Sequence, residues 1–280
     1  MTPGLVTRFA PSPTGYLHLG HACSALTAFR AAQSAAGRFI LRIEDIDATR
    51  CRPAFEAAIL EDLTWLGLTW EQPVRRQSEH MADYRAALDR LIERGLAYRC
   101  FRTRKDVLEA MASAPHGPEE AFRGAPLAAA DEAARLAAGE PFAWRLSLDA
   151  AKAALGPAWS ELDFVDAGAG RVKARPERAG DIVLARKDVG VAYHLAVVHD
   201  DALQGITRVI RGEDLFEATH IQRLLQALLG LPTPAYSHHR LLIGADGKRL
   251  AKRDLAETLR EIRAKGASAA EVIRAAGLAP

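Results

Sequence analysis

The stretch Arg8–His21, RFAPSPTGYLHLGH, constrains this chain more than any other. An apolar run that starts at Leu5 ends in Arg8 and Phe9, the pattern of a short strand. Pro11, Ser12, Pro13, Thr14 and Gly15 then enforce a loop, because proline breaks a helix and these residues favour turns. From Leu19 the spacing turns helical: Leu19, Ala22, Cys23, Leu26 and Phe29 share one face, and Gly37 is the expected stop. A strand, a tight loop and a helix start gather backbone N–H groups and the positive end of the helix dipole at one point. His18 and His21 stand three residues apart at that point, and Gly20 between them lets a flat group approach the backbone. The ligand predicted there is a phosphate, from a nucleotide.

The following segments extend the same architecture. RFILRIED, Arg38–Asp45, is too continuously apolar for an exposed edge and predicts a strand of a parallel sheet covered on both faces. It delivers Glu44, Asp45 and Asp47 at its C-terminal end, the ligand-binding end of open α/β sheets. Two helices should follow, the first from Pro53 with Phe55, Ile59, Leu63 and Leu66 inward and Gly67 as its stop. The second has Ser78 as expected cap, Met81, Tyr84, Leu88 and Leu91 as its apolar side, and Gly95 at its end. This is the start of a doubly wound α/β fold.

The pattern changes near Leu96. Thr103 and Asp106 form a capping-box pair, residues 115–126 read as loop, and an alanine-rich helix is expected around Asp131–Ala138. FAWRLSL and ELDFVD alternate like antiparallel strands, so residues 96–177 read as an inserted α+β subdomain. The α/β pattern is expected to resume with DIVLARKD, Asp181–Asp188, leaving residues 1–95 and 178–253 as the main domain. Residues 254–280 predict two short helices, with Leu259 and Ile262 in the first and Ser268 capping the second.

Composition narrows the function classes. A formal charge of +2 over 280 residues supplies no global basic field, so a nucleic acid would have to be held by a local patch. Cys23, Cys51 and Cys100 are scattered without metal-ligand spacing, which points to a reducing compartment. No run approaches a membrane span, and a soluble cytoplasmic monomer is expected.

Preceded by RFA, the segment PSPTGYLHLGH resembles the HIGH motif of class I aminoacyl-tRNA synthetases, in the form carried by the glutamyl and glutaminyl group. The resemblance implies a Rossmann-type catalytic domain of the HIGH superfamily. It also implies catalytic roles for His18 and His21, with Gly20 beside them at ATP, and glutamate contacts from Arg8, Phe9, Ala10, Pro11 and Ser12. RIEDIDATR is similar to the family segment that binds the amino group of the amino acid, which gives Glu44 that role and leaves Asp45 and Asp47 as solvated acids. Tyr193 matches the tyrosine that lines the amino-acid pocket. Arg211, at the end of an apolar strand and before Gly212, can present a planar fork to a carboxylate, and with Arg8 it would favour glutamate over glutamine. GKRLAKRD, Gly247–Asp254, resembles the KMSKS loop, with Arg249 and Lys252 as ATP-binding cations, Lys252 as a catalytic one, and Ala251 in place of the usual serine. His194, His199, Asp200 and Asp201 match a metal cluster only in composition, and helix capping and packing are expected of them.

Within the family, a core that stops at Pro280 resembles the glutamyl-Q tRNA(Asp) synthetases, which lack the anticodon-binding domain. That resemblance implies L-glutamate and ATP with Mg²⁺ as substrates and tRNA(Asp) carrying queuosine as partner. A short glutamyl-tRNA synthetase charging a 3′ end, a small-molecule nucleotidyltransferase and a non-catalytic tRNA-binding module stay open as alternatives. Family members often hold zinc in the insertion through a Cys-x-Cys pair. Here Cys100 is followed by Arg102 at the second position and no later cysteine exists, so neither zinc nor any other resident metal is expected.

Overall fold

The computed structural model describes residues 4–103, 106–107, 121–186, 190–242 and 257–279. Its elements begin with β1 (Val6–Phe9), α1 (Leu19–Ser34), β2 (Arg38–Ile43), α2 (Pro53–Trp65), β3 (Arg75–Arg76), α3 (Met81–Glu93) and β4 (Ala97–Cys100). Next come α4 (Ala129–Ala137), β5 (Ala143–Leu146), α5 (Leu148–Leu155), β6 (Asp163–Asp166), β7 (Gly170–Lys173) and β8 (Val183–Arg186). The chain continues through α6 (Tyr193–Leu203), β9 (Arg208–Gly212), α7 (Phe216–Leu229), β10 (Ala235–His239), α8 (Leu259–Ala264) and α9 (Ala269–Ala275).

β1, β2 and β3 form one parallel ladder, with Val6 opposite Arg38 and Arg42 opposite Arg75. A second ladder has β9 and β10 parallel, with Ala235 opposite Arg208. The ladders meet side by side where the Thr207 N–H donates to the Val6 carbonyl at 3.0 Å and the Val6 N–H donates to Thr207 Oγ1 at 2.8 Å. Side chains of a strand alternate between faces, and here each face has its own core. Phe39, Leu41 and Ile43 pack with Leu26, Ile59 and Leu63, whereas Ile40 packs with Leu195, Val198 and Leu224. Val209 and Ile210 divide in the same way. Burial on both sides is why β2 reads as an uninterrupted apolar run, and helices covering a largely parallel sheet are the doubly wound arrangement expected from the sequence.

Several local expectations are corrected. The left-handed residue after α1 is Ala36, at φ 47°, not Gly37. Gly37 is needed for another reason: a Cβ there would sit 2.1 Å from the Leu5 carbonyl oxygen, where the chain enters β1. Ser78 does not cap α3; it lies in a 3₁₀ turn, and its N–H and hydroxyl donate to Asp45 at 2.8 and 2.6 Å. Asp45 is therefore a tie between the end of β2 and that turn.

Sheet membership also crosses the boundaries expected at 96 and 177. β4, β5 and β8 form an antiparallel sheet, so Val183–Arg186, expected in the α/β half, pairs with the insertion instead. The reverse holds for the hairpin β6–β7, which is antiparallel within itself but joins the parallel ladder at Asp166–Tyr236. Asp181 fixes the insertion by accepting from the Tyr98 hydroxyl and from the N–H groups of Gly124 and Leu148, at 2.8–2.9 Å. The Thr103–Asp106 pair forms as expected, each backbone N–H donating to the other's side chain.

The two short C-terminal helices carry capping boxes, Thr258 with Glu261 and Ser268 with Glu271. The Leu259 N–H donates to the Leu17 carbonyl at 2.8 Å, and Thr258 bridges to His18. The tail thus returns to the start of α1.

Candidate active site

A period of two places Arg8, Arg42 and Arg211 on the same sheet face as Val6, Ile40 and Val209, with Glu44 just beyond β2 continuing that face. α6 crosses it and supplies the counter-charge. Asp201 Oδ1 accepts from Arg8 Nε at 3.1 Å and from Arg42 Nη2 at 2.9 Å. Arg42, with no exposed surface, also donates to Glu44 Oε1 at 3.2 Å and to Gln204 Oε1 at 2.8 Å. Asp200, equally enclosed, accepts from Arg75 Nε, Gln77 Nε2 and the Tyr84 hydroxyl at 2.8–2.9 Å. Asp200 and Asp201 are thus anchors for guanidinium groups, rather than helix caps or packing residues.

Burial pushes the Asp200 carboxyl up, but the neighbouring His199 ring, the charge of Arg42 and hydrogen bonds from Gln77 and Tyr84 outweigh it and leave the group at about 2. The same contest, resolved by Arg8 and Arg42, holds Asp201 below the usual carboxylate range. Glu44 goes the other way: desolvation raises it despite Arg42 and Arg8. Burial also raises the Tyr193 hydroxyl. His194 is pushed down to about 4 by burial and then by the charge of Arg211, so its ring is neutral at ordinary pH.

A cavity of about 730 Å³ opens on this face. Arg8, Phe9, Ala10, Pro11, Ser12, His18, Gly20, His21, Glu44, Tyr193 and Arg211 all line it, which brings every described site residue singled out in the sequence to one place. Leu241 and Leu242 close one side. A second cavity of about 280 Å³ adjoins it, with Ser12, Thr14, Glu44 and Tyr193 lining both. Arg249 and Lys252 lie outside the described residues.

The histidines form the helix start itself. His18 is the N-cap of α1, and its Nδ1 accepts from the Gly20 N–H at 3.1 Å. His21 Nδ1 accepts from the His18 N–H at 3.2 Å, and the ring centroids are 3.9 Å apart. An Nδ1 that accepts places the proton of a neutral imidazole on Nε2, so each ring offers an Nε2–H donor. Histidines in both places of a capping box were not anticipated, although their i, i+3 spacing is that of the motif.

Arg211 is 5% exposed. Its Nε donates to His238 Nε2 at 3.2 Å and its Nη2 to Thr219 Oγ1 at 2.7 Å, while its buried Nη1 has no hydrogen-bond partner among the described residues. A buried unpaired guanidinium nitrogen at a cavity wall suits a carboxylate. At the opposite end of the argument, Cys100 is a free thiol packed with Tyr98, Val107 and Phe122, and no group of three metal-binding side chains occurs among the described residues. That donor set does not fit a tetrahedral structural zinc. No described helix is long and apolar enough to cross a membrane.

Comparison with known proteins adds three findings. The family described as "tRNA synthetases class I (E and Q), catalytic domain" matches residues 4–278. A glutamyl-Q tRNA(Asp) synthetase of Rhodobacter capsulatus is 49% identical over 98% of this chain and 100% of its own length, and a glutamate–tRNA ligase of Aquifex aeolicus is 37% identical over 93% of this chain and 54% of its own. The crystal structure of a glutamate tRNA ligase from Elizabethkingia meningosepticum in complex with its amino acid has a TM-score of 0.75 at 29% identity, covering 90% of this chain and 52% of that one.

Proposed function

Because this chain belongs to the class I tRNA synthetases of the glutamate and glutamine group, we propose that it activates L-glutamate with MgATP and transfers the glutamyl group to the queuosine base in the anticodon of tRNA(Asp), as a cytoplasmic monomer. The observation that carries the substrate is the placement of Arg8 and Arg211 on one cavity wall with Glu44 and Tyr193 on the same cavity. The arginines take the side-chain carboxylate, and Glu44 takes the α-ammonium. A glutamine amide would leave a buried guanidinium without its counter-charge, so the site selects the acid.

In the first step an oxygen of the α-carboxylate attacks the α-phosphorus of ATP, and pyrophosphate leaves as the mixed anhydride forms. The chain has only to position the reactants and stabilise developing negative charge. The N-terminus of α1 and the Nε2–H groups of His18 and His21 supply donors at the phosphates. Lys252, with Arg249, supplies positive charge at the phosphates. The described flanks support this placement: Leu242 lines the cavity, and Thr258, which pairs with His18, follows Lys252 by six positions, a reach of at most ~20 Å. In the second step an acceptor hydroxyl of the modified base attacks the activated carbonyl and AMP departs. The cavity that shares Ser12, Thr14, Glu44 and Tyr193 gives the acceptor nucleoside its room. The choice of tRNA(Asp) follows the relative that matches from end to end. Within the insertion, Cys100 packs with Tyr98, Val107 and Phe122.

The test is radioactive glutamate offered with tRNA(Asp) bearing or lacking queuosine. Label on the modified form alone is the expected result. Label on tRNA(Glu) would move the activity to 3′-end charging, and absence of glutamate-dependent ATP–pyrophosphate exchange would overturn the activation step itself.

A further inference from the structure

We propose that His238, held by Asp166, is a positioning residue that aims the Arg211 guanidinium at the side-chain carboxylate of the substrate, with Thr219 as its second guide; the inference rests on the glutamate reading above. All nitrogens of an arginine side chain are donors, so the group that receives Nε must be an acceptor. That group is His238 Nε2, at 3.2 Å. The imidazole therefore carries its proton on Nδ1, which donates to Asp166 Oδ2 at 2.7 Å. Asp166 is fixed in turn, its Oδ1 accepting from the N–H groups of Gly168 and Ala169 at 2.9 and 3.0 Å. Both side chains are 3% exposed.

Thr219 completes the clamp. Its hydroxyl oxygen accepts from Arg211 Nη2 at 2.7 Å and lies 3.3 Å from His238 Nε2, where its own hydrogen is directed. With Nε and Nη2 committed, the guanidinium plane is set, and the buried Nη1 of this cavity-lining residue is left without a hydrogen-bond partner among the described residues. The Tyr236 ring lies 5.5 Å from the guanidinium carbon and stacks parallel, within 3°, on the His238 ring at 6.0 Å between centroids, which limits tilting. Asp166, Arg211, Thr219 and His238 come from three strands and a helix, yet none of the other three lines the cavity that Arg211 lines. Their effect on the substrate must pass through Arg211.

Two substitutions at one position separate aiming from mere packing. In His238→Gln the amide oxygen reaches the former Nε2 position and still accepts from Arg211. In His238→Asn the amide reaches only the Nδ1 position and keeps Asp166 instead. The readout is ATP–pyrophosphate exchange, with KM measured for glutamate and for ATP and with glutamine as competing amino acid. His238→Asn should raise the glutamate KM about 10–100-fold, the range for losing alignment of one charged hydrogen bond, and leave the ATP KM within about twofold. Its preference for glutamate over glutamine should fall in parallel, and His238→Gln should recover most of both. Thr219→Val, nearly isosteric, is the independent arm and should raise the glutamate KM about 5–30-fold even if a His238 variant does not fold. Equal glutamate KM values in wild type, His238→Asn and Thr219→Val would overturn the proposal, as would equal losses for glutamate and ATP. The wild-type control keeps the two readings apart: no glutamate-dependent exchange in wild type fells both, whereas normal exchange with indifferent variants fells this one alone.

Discussion

Replacing Arg42 by methionine should reveal how far the fold and the pocket share one set of charges. Arg42 has no exposed surface and stands 2.9 Å from Asp201, 3.2 Å from Glu44 and 3.8 Å from Asp200. At an effective dielectric near 20, unit charges about 3 Å apart attract by roughly 5 kcal/mol. Burying the guanidinium opposes this by several kcal/mol, so the intact cluster contributes far less than the gross attraction. Arg42→Met loses the attraction, strips Glu44 of its hydrogen-bonded cation, and leaves Asp201 to Arg8 and Asp200 to Arg75 alone. Removal of one partner from a buried ion pair costs about 3–5 kcal/mol, a large part of the 5–15 kcal/mol that holds a typical domain together.

The pH dependence gives the sharper test. In the wild type, Asp200 and Asp201 are held below the usual carboxylate range, so they stabilise the fold above the unfolded pKa and lose that contribution as pH falls. Without Arg42 the carboxyl of Glu44, already raised by desolvation, moves further above its unfolded value, and those of Asp200 and Asp201 rise from their depressed positions. Acid then favours the variant, and its deficit should shrink between pH 8 and pH 5. Urea denaturation followed by circular dichroism at both pH values measures this directly. A deficit below about 1 kcal/mol at pH 8, or one that widens in acid, would refute the reasoning.

Two further outcomes are expected. Lys252→Ala should slow glutamate-dependent pyrophosphate exchange about 10²–10³-fold, as for loss of one preorganised donor, and unchanged exchange would show that Lys252 has been misassigned. Asp62, 1% exposed and with neither carboxylate oxygen hydrogen-bonded among the described residues, is pushed by burial up to about 6 despite Arg263 at 3.8 Å. Its folded pKa exceeds the unfolded one, so its ionised form burdens the fold above pH 6; Asp62→Asn should add about 1–3 kcal/mol at pH 8 and nothing at pH 4, and equal midpoints in urea at pH 8 would contradict this.

What could be read in the sequence follows from the range of the forces involved. The helix start at His18, the stops at Gly67 and Gly95 and the capping pairs at Thr103 and Ser268 depend on residues a few positions apart, and they were legible. The cavity residues were legible because a motif carried them. Their partners were not: Arg8 and Asp201 are 193 positions apart, and Arg42 and Asp201 are 159 apart. Nothing local marks Asp200 and Asp201 as anchors, since Tyr193–Leu203 without its neighbours reads as a helix whose two acids cap and pack. β8 was misplaced for a related reason. VLAR has the composition of a buried strand, but its direction is decided by a partner, β5, about forty residues upstream. One signal was available: an arginine at the alternate position of three apolar strands, Arg8, Arg42 and Arg211, predicts a shared face wherever those strands lie side by side.

That shared face explains why the site can be built before a substrate arrives. Arg8 and Arg42 share Asp201, and Arg42 in turn holds Glu44, so on the proposed assignment the end of the pocket for a carboxylate is mechanically tied to the end for an ammonium. The fold satisfies most of these charges internally and stops short at two groups: the Nη1 of Arg211, buried without a partner among the described residues, and the carboxyl of Glu44, raised by desolvation. Each is unfavourable without a matched counter-charge. On the proposed assignment, a molecule carrying a carboxylate at one end and an ammonium at the other would relieve both at once. A glutamine amide would relieve only the second, which places the difference between the two in the part of the fold that the protein leaves incomplete.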